Sequence, residues 1–182
     1  MKKIKKKSRQ STFIPQIYDI SLNEWKSLVK AFTETYPQIE KDRSSTEKSW
    51  EYLLCAFFAL LSKGVIGTNS PIASFYSLLL SGFNPDNGFF RINDKKSAEG
   101  KNKFKGRKVY PPALAMIHLL SYYLHMTKEM LNEWGRHDRL VPRSLFPRLE
   151  FQKRIRAWML RLCNYAGVQK APSIRAIVNL AR

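Results

Sequence analysis

WEYLLCAFFALLSK, residues 50 to 63, decides the fold. From Tyr52 to Leu61 every side chain is apolar, aromatic or a thiol, so a helix over this stretch is apolar almost all round. Such a helix is stable only when other elements surround it, which makes it the expected centre of the domain. Ser44 and Glu47 have the S-x-x-E spacing of a capping box at its start, and Gly64 is placed to end it. Glu47, Lys48, Glu51 and Lys63 flank the apolar run, which falls short of the roughly 18 residues a membrane span needs.

Helical signals continue in both directions. Towards the N-terminus, Ser21-Leu22-Asn23-Glu24 is a second S-x-x-E, followed by Trp25, Leu28, Val29 and Phe32 at helical intervals, with Pro37 as the stop. Towards the C-terminus, Asn69-Ser70-Pro71 opens a helix expected to run through Phe75, Leu78 and Leu79 to Gly82. Asn84-Pro85-Asp86-Asn87-Gly88 is then a dense turn signal. Phe89-Phe90-Arg91-Ile92 and Val109-Tyr110, on either side of a lysine-rich stretch, read as two short strands of a β-hairpin, with a plain loop as the alternative. Pro111-Pro112 starts the next helix, in which Leu114, Ile117, His118, Ser121 and Tyr122 share a face with Leu124 and His125. A short helix from Thr127 to Trp134 ends at Gly135, and GRHDRLVPRSLFPR, residues 135 to 148, reads as an exposed connector.

From Pro147 to Ala166 the pattern is helical again. Phe151, Ile155, Trp158, Met159 and Leu162 form a core face, opposite Lys153, Arg154, Arg156 and Arg161, and no acidic residue follows Glu150 to offset them. Gly167 ends this helix, and Pro172 to Arg182 makes a short final one. The expected fold is mainly α: a compact helical domain of about six to seven helices and one small basic β-hairpin. Its parts are a basic tail over 1–18, a helical domain over 19–135 with the hairpin inserted at 88–110, and a basic helical segment over 136–182.

Charge is the strongest compositional feature. The 182 residues carry a formal net charge of +18, well beyond the roughly 2 to 8 that solubility asks of a small domain. It is also concentrated: +6 in residues 1–10, +5 in 93–108 and +9 in 136–182, which leaves −2 for the rest. Three basic blocks around a near-neutral middle favour a polyanionic partner, by counterion release where that partner is nucleic acid. Other chemistry has little support. There is no phosphate-binding glycine loop, no G-x-S-x-G and no clustered carboxylates. Cys55 and Cys163 lie in apolar helical patterns as reduced core thiols, and three histidines with no CxxC pair give no zinc ligand set. No cofactor and no metal is expected. The basic start MKKIKKKSRQ leads into a polar stretch and not an apolar signal core, so the expected location is cytoplasmic, and nucleoid-associated if DNA is bound.

WEYLLCAFFALLSKGVIGTNSPIASFYSLLLSGFNPDNGFFRI, a basic segment, and then VYPPALAMIHLLSYYL resemble the N-terminal region of large tyrosine recombinases, the site-specific integrases. The likeness is carried by residues 50 to 124: a helix ending in a glycine turn, a second helix, a hairpin and a proline-rich opening to the next helix. FQKRIRAWMLRLCNYAGVQKAPSIRAIVNLAR resembles the helical segment that follows. The resemblance implies a portion that grips DNA without cutting it. The recombinases' catalytic Arg, Lys, H-x-x-R and Tyr set belongs to a further domain, and no H-x-x-R occurs here: Arg136-His137-Asp138-Arg139 has the wrong spacing.

The expectation is therefore a non-enzymatic DNA-binding protein or domain that holds duplex DNA mainly through phosphates. The candidate contacts are Lys2, Lys3, Lys5, Lys6, Lys7 and Arg9 in the tail; Lys95, Lys96, Lys101, Lys103, Lys105, Arg107 and Lys108 in the hairpin; and Lys153, Arg154, Arg156 and Arg161 on the long C-terminal helix. Phe104 and Tyr110 are aromatic neighbours able to pack on sugars or bases, or to fill the hairpin's own core. A helical adaptor in a mobile-element or phage complex, with a recombinase or similar protein as partner, is the main alternative. An RNA-binding module is the other. No membrane association is expected.

Overall fold

A computed structural model describes residues 20–35, 45–66, 70–78, 90–92, 107–124, 132 and 139–181. Among them are six helices: α1 (Leu22–Thr35), α2 (Ser45–Ser62), α3 (Pro71–Phe75), α4 (Ala113–Leu124), α5 (Arg148–Ala166) and α6 (Ile174–Leu180). Two three-residue strands, β1 (Phe90–Ile92) and β2 (Arg107–Val109), pair antiparallel with Phe90 opposite Val109 and Ile92 opposite Arg107. The basic tail, Pro37, Ser44, Gly82, the loop between the strands and the expected helix over 127–134 lie outside the described residues, Asn132 excepted.

Local chemistry sets several helix ends. The Ser21 N–H donates to Glu24 Oε2 at 2.8 Å and the Glu24 N–H donates to Ser21 Oγ at 3.2 Å, a reciprocal capping box that satisfies two donors α1 would otherwise leave unpaired. The Ser21 hydroxyl also donates to Glu24 Oε2 at 2.7 Å, and this bond, then that from the Ser21 N–H, holds the Glu24 carboxyl below its ordinary range. At the far end of α2, Gly64 has φ +62°, and the Gly64 and Val65 N–H groups close onto Leu61 and Leu60 carbonyls. A Cβ there would stand 3.1 Å from the Ala181 carbonyl oxygen, so the close approach of the chain after α6 also calls for glycine. Gly167, with φ +69°, ends α5 in the same way. Ser173 caps α6 by accepting from the Ala176 N–H at 3.1 Å.

α2 is the central helix. Every residue from Leu53 to Leu61 is buried, and α4, α5 and α6 all pack on it, while α1 lies against α5. One core runs from Ile20 to Val178 and is rich in rings. Phe57 meets Phe75 and Phe151 edge-on at 5.3 and 5.2 Å, and Phe58 meets Phe32 at 4.9 Å. Edge-to-face pairs of this kind add to burial and fix orientation. Cys55 and Cys163 are free thiols in this core, and burial raises the pKa of both. No described helix is long and apolar enough to cross a membrane.

Three expectations are corrected. First, α3 stops at Phe75 and does not run to Gly82: the Leu78 carbonyl accepts from the Leu140 N–H at 3.0 Å, which draws the chain into a bridge and out of the helix. Second, the buried face of α4 is Ala115, His118, Leu119 and Tyr122, whereas Ile117 is exposed. Third, the described part of the connector, from Arg139 onward, is not an exposed strap. Leu140, Val141, Pro142 and Phe146 are buried. Two tyrosine hydroxyls make that burial tolerable by donating to its carbonyls, Tyr122 to Leu140 at 3.0 Å and Tyr76 to Phe146 at 2.8 Å. Trp50 stacks edge-on against Phe146 at 4.7 Å.

Candidate nucleic-acid interface

α5 carries the candidate cations whose side chains are described, and its amphipathic pattern orients them. Phe151, Ile155, Trp158, Met159 and Leu162 face the core as the spacing required. The four cations do not share one environment. Lys153 and Arg156 are exposed on the outward face, between the exposed Leu149 and Leu160, and form no ion pair among the described residues.

Arg154 and Arg161 sit on the flank towards α2. The Arg154 guanidinium donates through Nε to Glu150 Oε1 and through Nη1 to Glu47 Oε2, both at 2.9 Å, and lies 4.7 Å from the Trp50 ring centroid. The hydrogen bond to Glu47, then that to Glu150, raises its pKa above the ordinary arginine value. Arg161 Nη2 approaches Glu51 Oε2 at 3.4 Å, and the other oxygen of Glu51 accepts from the Trp158 indole N–H at 2.8 Å. The absence of acidic residues along α5 after Glu150 is thus made good across the fold by Glu47 and Glu51 of α2. Both arginines bridge α5 to α2, Arg154 to Glu47 at 2.9 Å and the more exposed Arg161 to Glu51 at 3.4 Å.

Of the remaining candidates, Arg107 and Lys108 lie in β2, where their backbones pair with Ile92 and Arg91. Tyr110, just beyond β2, is 68% exposed and so does not fill a hairpin core. Lys2, Lys3, Lys5, Lys6, Lys7, Arg9, Lys95, Lys96, Lys101, Lys103, Lys105 and Phe104 lie outside the described residues.

The sequence reasoning passed over three exposed arginines: Arg143 in the connector, Arg148 at the start of α5 and Arg175 in the first turn of α6. Arg148 and Arg175 line one cleft despite their separation in sequence. No helical period links them, so nothing in the sequence could have joined them. Among the described residues no three His, Cys, Asp or Glu side chains gather as metal ligands. His118 is buried, with its ring 5.8 Å from Phe32 and 6.4 Å from Tyr52, and desolvation lowers its pKa to about 3. It is a neutral core residue at physiological pH. No protein-family model matches this chain, nor does any curated protein or solved structure.

Proposed function

We propose that this chain is a DNA-binding protein or domain that holds duplex DNA through its phosphates and does not cut it, a DNA-gripping relative of the N-terminal region of large tyrosine recombinases. One observation carries the reading: the outward face of α5 presents Lys153 and Arg156 without an ion pair among the described residues, although α2 supplies carboxylates to Arg154 and Arg161 of the same helix. A net charge of +18 in three blocks supplies the long-range attraction. Contacts of this kind set register and orientation more than sequence choice.

The test is titration of the whole chain against duplex DNA, single-stranded DNA and duplex RNA of equal length at several salt concentrations. Duplex DNA is expected to bind tightest, with affinity falling about a thousandfold or more between roughly 50 and 200 mM salt if six to ten phosphates are neutralised. Affinity indifferent to salt in that window would overturn the proposal, and preference for duplex RNA would replace DNA as the partner.

A second reading has its own support. Leu149 and Leu160 are 74% and 53% exposed on the same face as Lys153 and Arg156, and an apolar-cationic helix face also suits an acidic protein partner in a mobile-element complex. Absence of binding to any nucleic acid at low salt, with a protein partner co-purifying, would favour that adaptor.

A further inference from the structure

The starts of α3, α5 and α6 meet around an open cleft of about 360 Å³. Its polar lining is Arg148 and Gln152 from α5, Arg175 from α6, and Ser70 ahead of α3; Ile72 and Ile174 give it apolar wall. Among the described residues no carboxylate lines it. Neither arginine makes an ion pair among the described residues. That distinguishes them from Arg154 and Arg161, further along α5, each of which meets a glutamate.

Two guanidinium groups lining one cleft repel each other, and an anion between them relieves that repulsion. The available partners are donors: two planar forks and the amide and hydroxyl of Gln152 and Ser70. Donors supplied by three elements around one cleft suit a tetrahedral oxyanion, whose oxygens point in separate directions, better than a flat carboxylate. We infer that this cleft binds a phosphate group, as one backbone phosphodiester of the bound nucleic acid. The identity of the phosphate's carrier rests on the DNA-binding reading; the cleft's preference for phosphate does not.

The experiment compares the full chain with Arg148→Gln/Arg175→Gln and with a control of equal charge change, Lys26→Gln/Lys63→Gln. The control lysines line a second groove of about 320 Å³ that shares no residue with the cleft. In duplex-DNA titrations the arginine variant is expected to lose about tenfold or more in affinity and to show a salt slope shallower by about 0.9, while the control stays within about twofold. In thermal unfolding at constant ionic strength, exchanging chloride for inorganic phosphate is expected to raise the Tm of the unaltered chain and of the lysine variant by about 2 °C or more beyond any rise in the arginine variant.

Equal DNA losses in the two variants together with equal phosphate shifts in all three proteins would overturn the cleft and leave the DNA reading standing. A phosphate shift confined to proteins with both arginines, in a chain that binds no nucleic acid, would keep the cleft and remove the DNA reading. A DNA loss specific to the arginine variant without any shift by free phosphate would assign the cleft to the polymer's phosphodiester and not to the free ion.

Discussion

The two flanks of α5 carry the same kind of residue to opposite ends. Towards α2, Arg154 and Arg161 are met by Glu47, Glu150 and Glu51, with Trp50 and Trp158 beside them, and they act as fasteners. Away from α2, Lys153 and Arg156 are exposed and form no ion pair among the described residues. A basic helix cannot be read as a binding surface from its composition alone. What separates a fastener from a contact is whether a carboxylate stands opposite, and that is a property of the neighbouring helix.

The comparison can be broken most severely from its buried side. Trp158→Ala removes a side chain only 6% exposed that packs on Phe58 and Phe32 and donates to Glu51, so it is expected to destabilise the fold by about 3–5 kcal/mol in urea unfolding. A loss under about 1 kcal/mol would show that α5 is not clamped to α2 as described.

The pH response tests the same core from within, through the buried His118. His118 has a folded pKa of about 3 against an ordinary 6.5. The unfolded chain therefore binds the extra proton in that window. The histidine's contribution is complete above about pH 6.5 and is lost as pH falls towards 3, at up to about 1.4 kcal/mol per pH unit. His118→Leu should flatten the stability profile between pH 6.5 and 5, and an unaltered slope in denaturation at those pH values would refute the assignment.

Arg154→Ala is expected to cost about 1 kcal/mol, because its pairs with Glu47 and Glu150 are partly solvent-screened although both are short and the guanidinium also stacks on Trp50. A double-mutant cycle with Glu47→Ala isolates the cross-helix term. Arg154→Lys should recover only part of the loss, since an ammonium cannot reach both carboxylates as a planar fork does. The smallest stability effect belongs to the outward flank: Lys153→Gln/Arg156→Gln should stay within about 0.5 kcal/mol of the unaltered chain. The same pair should weaken duplex-DNA binding, where Arg154→Gln should not. Reversal of that order in a gel-shift titration would dissolve the distinction between the two flanks.

Much of the helical framework was legible because it is written in short-range chemistry. Ser21 and Glu24 cap α1, Gly64 and Gly167 take left-handed φ at two helix ends, and the run from Leu53 to Leu61 lies at the centre. The register of the core face of α5 was legible for the same reason, since Phe151 to Leu162 recur at the helical period. The errors came where a distant residue intervened. Leu78 leaves its helix to bond Leu140, and the connector's Leu140 and Phe146 are buried only because Tyr122 and Tyr76 reach their carbonyls. The candidate interface was half legible. Its charge and its helix could be named, but Glu47 and Arg154 are 107 residues apart, and no pattern along α5 announces such a partner.

By itself the sequence determined a helical protein built around residues 50 to 63, the positions of its caps, and a net positive charge far beyond what solubility asks. These follow from periodicity, from the few residues able to satisfy helix ends, and from simple counting. Only the tertiary structure decided which cations of α5 meet a carboxylate and which face solvent without one among the described residues. It also brought Arg148 and Arg175 to one cleft. The physical reason is that a charge's availability depends on distance through space to the nearest opposite charge, and chain packing alone sets that distance.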